Sequence, residues 1–468
     1  MSSSRRGLTI GLLLCVTAVA FEGMAVVTAM PAAAADLGDL QLYAWAFTAV
    51  MIPQMFAIVV AGRLCDRIGP TGPLLAGLAV FAVGVVVAAL APTMLALLVG
   101  RAIQGLGGGA LNLALMVLTA VAYDPAERAG IMTWYSACWM LPSFVGPAVA
   151  AWLSETFSWH WVFWSVLPLV AIGLAFMAPT LARMSAPAAT DAATDAATDA
   201  ATDAPSALTA DDAAPPAVPT HAAFAVAVGL ALLQWAGQRL EPLSLVWGLA
   251  AVALLVVWFP KLMPQGFTPV APGLSATIMV RGLMAGSFFG MQTFLPLMLT
   301  GRGASLMMAG AVITVGSVGW MVGSWLQARP WLRRSRDQII VAGSCSLAAG
   351  VAIVAASGWL GTGDLILPTV GSVFAGLGMG LQSASTSLVT MQLSSASDIG
   401  RNTSSLQVGE TSGNAVFAGA AGTVFAALGT QATDAQTFGT LMTALAVVSG
   451  VSIAAAHRIG HVRNFSLG

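Results

Sequence analysis

Four charged side chains stand deep inside apolar stretches of this 468-residue chain: Glu22, Arg101, Arg281 and Glu410. A carboxylate can take up and release a proton, and a nearby guanidinium sets how readily it does so. Desolvation favours the neutral acid, while a close cation favours the carboxylate. A change in water access alters both effects, so an embedded acid–base pair can carry protons. Each such charge costs roughly 2.5–3.5 kcal/mol at the centre of a membrane helix, and residues of this kind face a partner or a wet cavity. Gln104, Asn112, Gln292, Gln382, Gln407 and Asn414 add neutral polar groups to the same kind of stretch. Most groups of this type bond between helices; Gln104, Asn112, Gln292 and Gln382 are the candidates to line a substrate cavity. His160 reads as an interfacial residue. Cys15, Cys65, Cys138 and Cys345 form no C-x-x-C pair and read as packing. No nucleophile–base or metal-ligand constellation stands out, so neither an enzyme nor a bound cofactor or metal is expected.

The elements that hold these residues are membrane helices. Charged residues make up 8% of the chain, against roughly 25% in a soluble domain. Apolar residues make up 58%, and the mean hydropathy is +0.86. Such a chain cannot cover its surface with polar groups, which excludes a cytoplasmic enzyme, a nucleic-acid binder and a disordered scaffold. The expected partner is the lipid bilayer. The net charge of −1 gives no field to attract nucleic acid.

A membrane helix needs about 20 mainly apolar residues. Windows of that size fall at 8–30, 43–64, 73–91, 94–118, 131–153, 161–182, 222–238, 243–260, 274–298, 304–326, 338–357, 365–392, 403–427 and 436–456. The pair at 222–238 and 243–260 is short and closely joined; it reads as two spans or as a re-entrant hairpin. With the N-terminus in the cytoplasm, fourteen basic loop residues fall on the cytoplasmic side, and only Arg239 and Arg302 fall outside. That asymmetry fits fourteen spans with both termini cytoplasmic. Arg5-Arg6, the following apolar run and Ala32–Ala35 also resemble a signal peptide, but cleavage there would discard Glu22. Depth then pairs the charges. Glu22 and Arg101 both lie roughly 12 Å below the outer face, and Arg281 and Glu410 each lie about eight residues above the cytoplasmic ends of spans nine and thirteen.

The spans divide the chain into an N-terminal six-helix bundle (1–183), a linker (184–220), an inserted two-helix hairpin (221–262) and a C-terminal six-helix bundle (263–468). The linker repeats Ala-Ala-Thr-Asp, placing Asp191, Asp195, Asp199 and Asp203 four apart, where they would repel one another on a helix. It reads as a solvated tether, or as an acidic latch for the basic loop Arg333–Arg336. Repeated bundles with a site between them are a common transporter plan.

Several motifs stand in order along the first bundle. The loop after span two reads Gly62-Arg63-Leu64-Cys65-Asp66-Arg67-Ile68-Gly69. Span four holds Arg101-Ala102-Ile103-Gln104-Gly105-Leu106-Gly107-Gly108-Gly109, and span five ends Gly146-Pro147-Ala148-Val149-Ala150-Ala151. Span one runs Glu22-Gly23-Met24-Ala25-Val26-Val27-Thr28-Ala29-Met30-Pro31, and Trp159-His160-Trp161-Val162-Phe163 opens span six. These resemble, in turn, the G-x-L-x-D-R-x-G signature of the major facilitator superfamily, the R-x-x-Q-G-x-G-G and G-P-x-x-G-G motifs of its drug/proton antiporters, the D-x-T-V-V-N-x-A-L-P pattern of its fourteen-span drug exporters and the W-R-W-x-F that opens span six. Departures are the missing basic pair after Gly69, Ala150 and Ala151 for two glycines, Glu22 for Asp, Val27 for Asn and His160 for Arg. The second bundle matches mainly in layout.

The resemblance implies an all-α membrane protein in which two six-helix bundles, with two extra helices between them, alternate access around a central site. It implies that Gly62, Asp66, Arg67, Gly69, Gly146 and Pro147 govern gating. Asp66 would dock near Asn402 and Thr403, at the start of span thirteen, and favour the outward-facing state. Spans one and four would line the cavity, making Glu22 the proton carrier tuned by Arg101. The expected activity is export of small amphipathic molecules across the plasma membrane, the cell inner membrane, in exchange for protons. The alternatives are a translocase for one endogenous lipid or metabolite, or a transport-inactive receptor.

Overall fold

The structure, a computed structural model, describes residues 3–123, 125–185, 220–239, 242–329, 331–332, 334–395, 398–429 and 435–462. Among them every regular element is a helix. The first bundle comprises α1 (Ser3–Leu37), α2 (Trp45–Ile68), α3 (Thr71–Ala89), α4 (Met94–Ala122), α5 (Pro125–Thr156), the short α6 (His160–Trp164) and α7 (Val166–Ser185). The hairpin is α8 (Thr220–Gln238) and α9 (Pro242–Trp258). Then follow α10 (Leu274–Gly301), α11 (Leu306–Gln327), α12 (Arg336–Leu360), α13 (Ile366–Gln392), α14 (Ile399–Leu428) and α15 (Ala435–His457). Thirteen segments among the described residues are long and apolar enough to cross a membrane. The 32-residue α5 occupies the place of the remaining expected span.

Spans one, five and six differ most from the sequence reading, span five because α5 begins at Pro125 rather than at 131. Span one is longer, because α1 runs on through Pro31 to Leu37. Span six is broken between α6 and α7 at Ser165. Pro168 explains the break: its ring would meet the carbonyl of Trp164, four residues back. The expected tether falls largely in 186–219 and Arg333 in its proposed latch partner; both lie outside the described residues. The hairpin helices are continuous over 19 and 17 residues. The first is about 28 Å long, close to the bilayer core, which favours two spans over a re-entrant loop.

Packing repeats between the halves. Helices α2 and α3 both lie against α4, as α11 and α12 lie against α13; α1 packs on α5 and α7, as α10 packs on α14 and α15. The halves meet along two seams, α5 with α11 and α2 with α14, and α8 lies against both α2 and α14. Lipid gives helices no hydrophobic reason to associate, so close backbone approach does much of the work. The glycines of span four show this. A Cβ on Gly109 would lie 2.5 Å from the Gln54 carbonyl oxygen of α2, and one on Gly107 would lie 2.5 Å from Phe81 Cα of α3.

Aromatic–basic pairs mark the edges of the bilayer. Lys261 sits over Trp258 at 3.7 Å and Arg329 over Trp325 at 4.1 Å on the face that carries the chain termini; Arg239 sits over Trp235 at 4.4 Å on the far face.

Gly107→Ala is expected to destabilise the fold by about 1–3 kcal/mol through overpacking. Gly108, whose added Cβ would meet only the Phe81 ring at 3.6 Å, should tolerate the same change. Thermal midpoints of the two variants in detergent check this.

Candidate functional site

Helix α1 presents Glu22 and α4 presents Arg101, and each residue is only 4% exposed. Arg101 Nη1 donates to Glu22 Oε1 and, at 3.0 Å, to Gln104 Oε1 one turn along α4. Its Nε donates at 2.9 Å to the backbone carbonyl of Ala46, in the first turn of α2. One guanidinium therefore ties α1, α2 and α4 together. The depth argument paired Glu22 with Arg101 correctly; the Ala46 bond was not legible, since a backbone acceptor leaves no trace in residue type.

The second pair also meets. Arg281 Nη2 on α10 donates to Glu410 Oε2 on α14 at 2.9 Å. Its Nη1 reaches the Ser383 carbonyl and, at 3.0 Å, Thr386 Oγ1, both on α13. Fully buried Gln382 joins this cluster by accepting from Thr386 at 3.4 Å. Gln292 does not join it: the residue lies about three turns along α10, and its buried Oε1 has no partner among the described residues. Asn112 is half-buried, two turns beyond Gln104 on α4.

At the far face the two bundles close on each other. Tyr43, at the start of α2, packs on Phe294 of α10, with ring centroids 5.5 Å apart. Phe294 continues to Phe425 of α14 at 5.4 Å, and Phe425 to Phe438 of α15 at 5.9 Å. A Cβ on Gly422 of α14 would lie 2.5 Å from Ala44 Cβ. In the other seam, a Cβ on Gly310 of α11 would lie 3.1 Å from the Pro147 carbonyl oxygen. Nearby, Glu155 Oε1 accepts from the Met307 backbone N–H at 3.2 Å, so a carboxylate of α5 caps the start of α11 across the seam. Arg302 donates to the Ser357 and Gly358 carbonyls at 2.8 and 2.7 Å, fastening the end of α12; burial pulls its pKa below the usual arginine value.

Toward the termini face the arrangement opens. Thr403, Gln407, Thr411, Asn414 and Ala418 share one side of α14. Thr403 and Gln407 are exposed, Thr411 and Glu410 half-buried, Asn414 and Ala418 buried. Polar side chains are costly against lipid, so this stripe is expected to line a wet vestibule on the way to the aromatic cluster.

Gly62 packs toward Leu113 of α4, with 3.3 Å between its added Cβ and Cδ2. Arg67 is exposed, and Gly69 ends α2 with φ +76°, a conformation that favours glycine. The side chain of Asp66 lies outside the described residues, and its expected docking near Asn402 and Thr403 with it. Asn402 Nδ2 donates to Ser394 Oγ at 2.9 Å. Gly146 faces α1, its added Cβ 3.4 Å from Met24 Cβ, while Pro147 meets α11. His160 stacks on Trp159, whose Nε1 donates to Asp36 Oδ2 at 2.9 Å on the far face. Sequence reasoning missed Tyr43, Ala44, Glu155 and Gly422. The only signal was an aromatic cluster at the start of span two.

With the natural cysteines replaced, a cysteine at Gln407 is expected to react with a membrane-impermeant thiol reagent applied to the termini face. One at Ala418 should be protected at least tenfold. Equal rates at the two positions would contradict the vestibule.

The family model described as the Major Facilitator Superfamily matches residues 12–418. Multidrug resistance protein 3 of Bacillus subtilis is 34% identical over 175 residues, covering 37% of this chain and 34% of that protein. The Multidrug resistance protein B homolog of Mycobacterium tuberculosis is 25% identical over 394 residues, covering 82% of this chain and 69% of that one. Over the first of these alignments the chain spans about a third of its relative's length. A crystal structure of a POT peptide transporter has a TM-score of 0.68 at 17% identity, covering 97% of this chain and 95% of that one. At that identity the likeness shows the fold.

Proposed function

The chain belongs to the Major Facilitator Superfamily, and on that premise we propose that it exports small amphipathic molecules across the plasma membrane in exchange for protons. The observation that carries this reading is the Glu22–Arg101–Ala46 connection. It links a titratable group to the first turn of α2, next to Ala44, where α2 meets α14 at the far seal. Protonating Glu22 removes the charge that holds Arg101. Arg101 then loses its strongest acceptor, and its hold on the start of α2 loosens. The far-face seal and the proton on Glu22 thus oppose each other by linkage.

In this scheme the termini face is cytoplasmic. Substrate enters the vestibule along the α14 stripe and competes with protonation of Glu22 by perturbing the same Glu22–Arg101 contact, so that either the proton or the substrate releases the far seal. The bundles then rock about the central site, opening the far face as the termini face closes. Two embedded acids against two embedded bases leave the cavity near neutral, which suits neutral or monocationic substrates better than polyanions. Arg281, Glu410 and Gln382 would line the second wall, with Gln104 and Asn112 on the first. Asp66 would hold the termini face shut in the opposite state. The names of relatives support the substrate class, among them the Multidrug efflux pump SdrM of Staphylococcus aureus, 28% identical over 165 residues.

In inside-out vesicles with an imposed proton gradient, the wild type is expected to accumulate a cationic dye, and Glu22→Gln to lose at least tenfold of that uptake. Dye binding to the purified variant should persist. Full gradient-driven uptake by Glu22→Gln would overturn the assignment of coupling to this residue.

A further inference from the structure

The far seal is closed, yet polar atoms without partners gather around it. Helix α8 lies against both α2 and α14. Gln234 is 4% exposed, and neither its Oε1 nor its Nε2 has a partner among the described residues. The same holds for both amide atoms of Gln238, one turn further along α8. They face α14 where α2 meets it. A Cβ on Gly419 would lie 3.5 Å from Gln234 Oε1, and one on Gly422 would lie 3.2 Å from Gln238 Nε2 and 2.5 Å from Ala44 Cβ of α2. A Cβ on Gly237 would overlap Thr423 Oγ1, so no side chain spaces α8 from α14 here. On the α2 side, the buried hydroxyl of Tyr43, next to Ala44, also lacks a partner among the described residues.

The other end of the hairpin is bonded. On the termini face, Arg63 Nη1 of α2 donates to Thr220 Oγ1, at the start of α8, at 3.1 Å. Ser405 Oγ of α14 donates to the Leu262 carbonyl, just after α9, at 2.8 Å. The hairpin thus has one foot on each bundle. Its polar groups are answered where the bundles are open and unanswered where they are closed. A helix that only covers a seam against lipid can be wholly apolar, and a buried amide without a partner is destabilising. What the closed seam denies these amides is water. When α2 and α14 part, the Ala44–Gly422 contact becomes a gap, and α8 spans that gap from the lipid side. Gln238 is uncovered first and Gln234 one turn deeper.

We propose that α8 is a wall of the far-face vestibule when that face is open, and that Gln234 and Gln238 are its polar lining. The amides are dry and unpaired while the seal is shut, and hydrated once it opens. Their unmet bonds oppose the seal, so the pair sets how readily the far face parts. The inference rests on the alternating-access reading above, but on neither its proton nor its substrate.

The test uses the full chain in lipid bilayers with the natural cysteines replaced. Spin labels at Asp39 and Leu428 read the seam, and an impermeant thiol reagent on the far face reads Gln238→Cys. Gly422→Ala parts the seam without a proton, because its methyl has no room beside Ala44; Ala44→Leu is a second wedge from the opposite helix. Either wedge is expected to lengthen the label distance and to speed modification of Gln238→Cys about tenfold or more. In the wedge background, Gln234→Leu with Gln238→Leu should lower the ratio of long to short distances about tenfold or more. Asparagine at both positions should leave that ratio within about threefold. Protection of Gln238→Cys while the seam lengthens would overturn the proposal, as would a leucine pair that leaves the ratio unchanged. So would a seam that neither wedge parts, since the amides would then have no gap to line. If the wedges give the expected results but acidification leaves the wild-type seam unmoved, the proton reading fails and the hairpin wall stands.

Discussion

A charge inside an apolar slab must be answered, and Arg101 is where this protein meets that demand. Five N–H donors cannot be left bare in lipid. Three of the guanidinium's N–H groups are answered, by a carboxylate from α1, an amide on its own helix and a backbone carbonyl of α2. In the proposed alternating-access cycle, each acceptor belongs to a part that must move or hold. Removing the charge of one acceptor changes what the others feel. The same demand in the second bundle is met in a like way: Arg281 leans on a carbonyl and a hydroxyl of α13 as well as on Glu410.

In the proposed cycle, close backbone packing would make the far seal a two-state feature. Ala44 against Gly422, and Pro147 against Gly310, have no side chains to flex as the seams part. Such contacts are made or broken. The polar gradient along α14, exposed at Gln407 and buried by Ala418, is the counterpart at the open end. The hairpin rests on one of these seams, through α8 against α2 and α14.

Much of this was legible in the sequence because membrane folding rests on simple quantities. Apolar runs located the helices, and depth counted along them brought Glu22 to Arg101 and Arg281 to Glu410. The span-four glycines were read as a family signature; the structure adds that Gly107 and Gly109 are spaces for the backbones of α3 and α2. What could not be read falls into two kinds. Some contacts use backbone atoms, as at Ala46 and Met307, and any residue supplies those. Others depend on how the bundles meet, as at Tyr43 with Phe294 or Ala44 with Gly422, where the partners lie far apart in sequence. The break at Ser165 was visible in principle through Pro168, but hydropathy windows average over such a point.

The central claim is that the Glu22–Arg101 pair holds the far face shut. Spin labels on cysteines placed at the exposed positions Asp39 and Leu428, with the natural cysteines replaced, report the distance across the α2–α14 seam. Acidification should lengthen that distance in the wild-type pair. Glu22→Gln should show the long distance at every pH. A distance that does not respond to pH, or one that responds equally in Glu22→Gln, would contradict the account.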